Sequence, residues 1–307
     1  MRKMEYYWVC TLCMILVIGG CYPTDGISPG EPIYPQIDKF PAWSPDGTTI
    51  AYHHSGVTSV DSQTGGAEID PDSVGIWFID PDGMNRRMFL KNGDIPDWSP
   101  DCEKIALVMG KQIYTVRADA ESLHKWTSRG RNFFPDWSPN GEQIAYDRTV
   151  PSDSSGVWIL TLVDGQKVWI GGSRSPDWSP DGSRILYVGS WGDIWTITPD
   201  GSDSLRLTNR GGTYPIYTHP VWSPDGREIS FSAESGELSD PTQIWVMDAD
   251  GSNPSQLTTE GGTEPSWSPD GSRIVFSRYN PWEFGERNGR LWIMNADGSG
   301  KRQLTSF

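Results

Sequence analysis

From His219 to Thr258 the chain reads HPVWSPDGREISFSA (His219–Ala233), a loop, and QIWVMDADGSNPSQLT (Gln243–Thr258). In SPDG, proline pre-sets φ at the second turn position, aspartate suits the third, and glycine accepts positive φ. That is a type I turn with a glycine bulge, joining a strand that ends at Trp222 to a second, apolar strand. DADG at Asp248 repeats the device between a third and a fourth strand. The stretch therefore encodes two hairpins, a four-stranded antiparallel unit A–B–C–D.

The chain writes this unit six times. The first turn recurs as PAWSPDG at Pro41, PDWSPDC at Pro96, PDWSPNG at Pro135, PDWSPDG at Pro176, PVWSPDG at Pro220 and PSWSPDG at Pro265. The tryptophans Trp43, Trp98, Trp137, Trp178, Trp222 and Trp267 are 55, 39, 41, 44 and 45 residues apart. A period of about 40–45 residues built of short strands is the signature of propeller blades. Strands B and C are nearly unbroken apolar runs (RILYV, RIVF, GIWFI, LWIM), as expected of strands buried on both faces. Proline two residues before each tryptophan makes strand A an edge strand, at the channel. Strand D carries Arg86, Arg87, Lys125, Lys167, Arg206, Lys301 and Arg302, charges that discourage edge pairing. The fold class is thus an all-β, six-bladed β-propeller of four-stranded antiparallel blades. Eleven of the sixteen tryptophans belong to strands A and C and are expected to pack between blades.

The pattern P-x-W-S-P-D-G…I-W-x-x-D-x-D-G…L-T resembles the WD40-like repeat of the TolB carboxy-terminal propeller, across residues 36–307. The resemblance implies a propeller and a place in the cell envelope. It departs from TolB in two respects: only a short segment precedes the first blade, where TolB has an α/β domain that engages the Tol machinery, and TolB is a soluble periplasmic protein. The repeats also occur in unrelated exported proteins, so the fold alone fixes no function.

Residues 1–20 read as a signal peptide, with a basic start at Arg2 and Lys3 and the apolar run VCTLCMILVIGG. The run is short for a transmembrane span. IGGC resembles the lipobox of bacterial lipoproteins, which implies diacylglycerol on Cys21 and an exported, membrane-anchored lipoprotein, periplasmic or at the cell surface. Residues 21–35, with four prolines and two glycines after Cys21, read as a semi-extended tether. Of the four cysteines only Cys102 then remains in the propeller, which leaves no internal disulfide to form. The net charge of −15 argues against nucleic acid, whose phosphates need a basic face.

The repeat places the A–B and C–D turns on one face and the variable B–C and D–A loops on the other, where function is expected. Aromatic residues gather in those loops: Trp191, Tyr214, Tyr217 and His219, then Tyr279, Trp282 and Phe284 beside Glu283 and Glu286, with Phe133 and Phe134 before blade 3. Of these, Trp191, Tyr214, Tyr217, His219, Tyr279, Trp282 and Phe284 are the candidate partner-binding residues. Asp97, Asp136 and Asp177, each just before a strand-A tryptophan, are candidate channel acids, able to hold a cation or a basic group or to accept hydrogen bonds from the next blade. The turn acids Asp46, Asp101, Asp181, Asp225 and Asp270 lack the further oxygen ligands of a calcium loop. No G-x-S-x-G motif is present. The expectation is a monomeric, non-catalytic envelope module for a protein or glycan partner, with no catalytic residue, cofactor or metal. The alternative is a metal-assisted, lyase-type polysaccharide-degrading enzyme that uses His53, His54, His124 or His219.

Overall fold

The two-hairpin grammar is realised strand for strand in a computed structural model, which describes residues 38–60, 67–150, 155–209, 216–234, 241–278 and 289–306. Blade 5, the clearest in sequence, comprises Ile216–Trp222, Glu228–Glu234, Gln243–Asp248 and Ser255–Gln256, paired in chain order. The described residues form six such sheets. Blade 1 is Asp38–Trp43, Ile50–His54, Gly75–Ile79 and Arg87–Lys91, and blade 2 is Asp94–Trp98, Lys104–Met109, Gln112–Arg117 and His124–Lys125. Blade 3 is Arg131–Trp137, Gln143–Thr149, Gly156–Thr161 and Lys167–Gly171, and blade 4 is Arg174–Trp178, Ile185–Val188, Ile194–Ile197 and Ser204–Arg206. Blade 6 is Thr263–Trp267, Arg273–Arg278, Arg290–Asn295 and Arg302–Gln303. A further hairpin, Val57–Val60 with Ala67–Ile69, lies in the B–C loop of blade 1. The signal segment, Cys21 and the tether lie outside the described residues.

The SPDG turns show why serine belongs in the phrase. In blade 1 the Ser44 hydroxyl donates to Asp46 Oδ1 (2.6 Å), which also accepts the Thr48 N–H (3.0 Å), while Ser44 Oγ accepts the Thr49 N–H (2.9 Å). Asp101, Asp181, Asp225 and Asp270 repeat the arrangement. The serine bonds hold Asp181 and Asp270 down to a pKa of about 2. Glycine closes five of the turns at φ between +70° and +73°, and Cys102 takes the same conformation at +60°.

Packing lies between blades. Trp98, Ile105 and Leu107 of blade 2 pack on Ala42, Ile76 and Phe78 of blade 1. Each later junction repeats this arrangement, and Ile50, Tyr52 and Ile79 close the ring against Val275, Leu291 and Ile293 of blade 6. Five of the six strand-A tryptophans are buried and Trp222 is partly so.

The closing seam carries more than apolar packing. Asp38 and Arg290, both fully buried, pair at 3.2 Å across it. Asp38 also accepts the Thr305 hydroxyl (2.6 Å) and faces His54 Nδ1 (2.7 Å). Burial pushes the Asp38 pKa up, but the His54 hydrogen bond and the charges of His54, Arg290 and Arg86 outweigh it and hold the carboxyl below its ordinary value. The outer edges also depart from simple charge protection. Arg86 and Arg206 turn back onto Tyr52 and Asp193, and the outer strand of blade 3 exposes Val168 and Trp169.

Candidate functional site

Strand A brings one residue of each blade to the channel by a device hidden in the sequence. Every residue before the repeated proline (Phe40, Ile95, Phe134, Ser175, His219, Glu264) has φ between +49° and +57°. The A–B register slips there in all six blades, by a β-bulge or similar irregularity. Residues held in this region cost about 1–3 kcal/mol each and persist only where their surroundings fix them. Here the slip aims six side chains into a channel cavity of about 150 Å³. His219 lies with its ring centroid 5.3 Å from Phe134 and 6.1 Å from Phe40. Burial, helped by the Arg174 charge, lowers its pKa to about 4, so it is neutral at pH 7.

The channel acids follow two residues later, just after the proline. Asp97 accepts the Trp137 N–H (2.8 Å), Asp136 the Trp178 N–H (2.6 Å) and Asp177 the Trp222 N–H (2.8 Å), so each carboxylate ties its blade to the next. In the other blades the position is Ala42, Val221 and Ser266. Burial raises the pKa of Asp97 to about 7, against the N–H bonds of Trp137 and Trp98. Burial again, then the charges of Asp177 and Asp97, raise Asp136 well above the carboxylate range, and burial with the Asp97 charge does the same to Asp177. Three half-buried carboxyls lining one cavity disfavour shared ionisation.

The remaining histidines are individually engaged. His53 Nδ1 faces the Gly93 carbonyl (3.0 Å), His54 faces Asp38, and His124 packs on Trp126 (4.4 Å). Among the described residues no three His, Cys, Asp or Glu side chains group to hold a metal ion.

The candidate partner residues divide. Tyr214, Tyr279, Trp282 and Phe284 lie outside the described residues. Tyr217 donates its backbone N–H to Gly192 O (3.1 Å) and sets its ring on Phe231 at 5.2 Å, in the junction of blades 4 and 5. His219 belongs to the channel wall. Trp191 stands 75% exposed at the tip of the blade 4 B–C turn, which is closed by Gly189 N–H to Asp193 O at 2.8 Å.

Trp191 borders a groove of about 300 Å³ formed with Gly172, Tyr187, Gly189, Ser190, Asp193, Trp195 and Arg206. Antiparallel register sets Tyr187 opposite Trp195 and Trp195 opposite Arg206, so three strands of blade 4 supply one row. The Tyr187 and Trp195 rings are near-parallel, with centroids 6.3 Å apart. Buried Asp193 takes Arg206 Nη2 at 2.5 Å and the Thr208 hydroxyl at 3.1 Å, while Arg206 Nε donates to Thr208 O. Two glycines keep the groove open. A Cβ at Gly189 would lie 2.9 Å from Trp195 Nε1, and one at Gly172 would lie 3.0 Å from Tyr187 Cδ2. The sequence signal for this site is a charged pair, Asp193 and Arg206, where blade 5 has Gln243 and Gln256.

Six hairpin-pair blades around a lined channel, with an aromatic groove on the B–C/D–A face, define a β-propeller of the WD40-like repeat type. Residues 127–307 match the family described as the TolB beta propeller domain, and the chain belongs to it. It is 26% identical over 270 residues to the protein Atu1656 of Agrobacterium fabrum, covering 81% of this chain and 87% of that one. Among solved structures it resembles the putative TolB of Agrobacterium tumefaciens at a TM-score of 0.61 and 23% identity, over 76% of this chain and 87% of that one. TolB of Acinetobacter baumannii matches at 0.61 and 22%, over 74% of this chain and 58% of that one. At these identities the likeness to the two structures is one of fold.

Proposed function

We propose that the chain is an exported, membrane-anchored binding module of the cell envelope, which engages a protein or glycan partner through its B–C/D–A face and performs no catalysis. The observation that carries this reading is Trp191, held out at 75% exposure beside an open aromatic groove on that face. A ring fixed in this way loses little freedom on binding and covers much area. The opposite face consists of short turns whose aspartates are spent on their own serines and backbone N–H groups. Membership of the TolB propeller family supports an envelope setting. The described residues include no helix long and apolar enough to cross a membrane, and attachment is assigned to acylated Cys21. The histidines and channel acids are engaged one by one in structural contacts, which supports the non-catalytic reading. Tyr214, Tyr279, Trp282 and Phe284 are proposed to extend the same surface.

The test is capture of native envelope partners by the lipidated chain. Trp191→Ala and Trp282→Ala should each weaken capture by about 2 kcal/mol or more, with the melting temperature nearly unchanged. Full capture by both variants, or unfolding of both, sinks the reading.

A further inference from the structure

We propose that the groove between blades 3 and 4 is a binding site for an uncharged saccharide, seated on Trp191 with its hydroxyls on Arg206 and Trp195, the guanidinium being fixed by buried Asp193. The inference rests on the binding-module reading above and names the ligand class for one part of that face.

The first argument is the match of surfaces. A pyranose ring has an apolar face of C–H groups and a rim of hydroxyls, each both donor and acceptor. An aromatic face is electronegative and attracts the positively polarised C–H groups laid on it. The groove offers the exposed Trp191 ring at its lip and the Tyr187 and Trp195 rings in its wall.

The second argument is the polar complement. Buried Asp193 holds the Arg206 guanidinium at 2.5 Å and fixes its remaining donors at the groove wall, where they can meet ligand hydroxyls. Arg206 spends Nε on Thr208 O and Nη2 on Asp193, and its Nη1 finds no partner among the described residues. The Trp195 indole N–H, uncovered because residue 189 is glycine, adds a further donor.

The third argument is comparison within the chain. The hairpin bonds that Asp193 and Arg206 make are made in blade 5 by uncharged residues: Gln243 accepts the Thr258 hydroxyl (2.8 Å), and Gln256 donates to Thr258 O (2.6 Å). Folding a blade thus does not need this charged pair. The pair is internally neutral and the chain carries −15, which favours an uncharged ligand over an anionic sugar or a nucleotide. Small, largely pre-formed concave sites lined by rings and a few convergent polar groups are the usual form of a ligand pocket.

The test uses the full chain and neutral hexasaccharides of the gluco, manno, galacto, xylo and N-acetylglucosamine series, with hexagalacturonate as the anionic probe. At least one neutral series should give a saturable blue shift of tryptophan emission. Trp191→Ala should weaken it at least tenfold. The double variant Asp193→Gln/Arg206→Gln copies blade 5, so it should melt close to the wild type yet bind at least tenfold more weakly. No saturable shift with any neutral series, a preference for hexagalacturonate, or unchanged affinity in the double variant overturns the proposal. If Trp191→Ala abolishes envelope capture while no sugar binds, the saccharide assignment falls and the binding-module reading stands.

Discussion

Cys102 occupies the turn position that glycine holds in the other five A–B hairpins, and at φ +60° it keeps their backbone conformation. An L-residue in the left-handed region costs about 1–2 kcal/mol. Glycine removes that cost but gives the unfolded chain more freedom, which offsets about 0.4–1 kcal/mol. The thiol also packs beside the Asp46 turn of blade 1, and burial there raises its pKa. Cys102→Gly is therefore expected to stabilise the propeller by about 0.5–1 kcal/mol. For a domain of this size that is a rise of roughly 1–2 °C in melting temperature, so urea denaturation is the better assay. Two controls isolate the backbone effect. Cys102→Ala keeps the strained φ while removing the thiol, and should be no more stable than the wild type. Gly271→Ala places a Cβ at φ +70° with nothing within 4 Å, and should cost about 1 kcal/mol. If Cys102→Ala stabilises as much as Cys102→Gly, left-handed strain is not the cause and the reasoning fails.

Asp136 has a folded pKa raised above its unfolded value, so its contribution to stability falls as pH rises from about 4 upward. His53 and His219, with lowered values, act in the opposite sense, so the clean readout is the variant minus the wild type. Asp136→Asn should gain stability relative to the wild type as pH rises from about 4 to about 8, by on the order of 1 kcal/mol or more; a difference that shrinks with pH contradicts the raised value. At the seam, Asp38→Ala removes the buried carboxylate that faces Arg290, Thr305 and His54 and should cost about 3–5 kcal/mol in urea denaturation, whereas a loss below about 1 kcal/mol would assign ring closure to apolar packing alone. Cys21→Ser should move the protein from the detergent phase to the soluble exported fraction, and a wild type already in the aqueous phase refutes the lipid anchor.

The blades were legible because one phrase carries turn chemistry, strand period and edge marking together, six times over. Even the strain at Cys102 follows from its place in the phrase. The bulge before each proline was not legible, since X-Pro in sequence favours extended backbone and only the A–B register reveals the slip. Nor was the seam, where Asp38 and Arg290 stand 252 residues apart and meet only when the ring closes. The groove was half legible. Trp191 stood out as a loop aromatic, but Tyr187, Trp195 and Arg206 each look like ordinary repeat residues until three-strand register sets them in one row. His219 and Tyr217, grouped with Trp191 by loop position, are drawn into the channel wall and a blade junction.

Hydrogen–deuterium exchange of the full chain, with and without its captured envelope partner, tests the central claim most directly. Binding through the B–C/D–A face predicts added protection at Gly189–Asp193 and in the loops before blade 5 and within blade 6, with the SPDG turns unchanged. Protection at the SPDG turns, with the Trp191 turn unaffected, would contradict it.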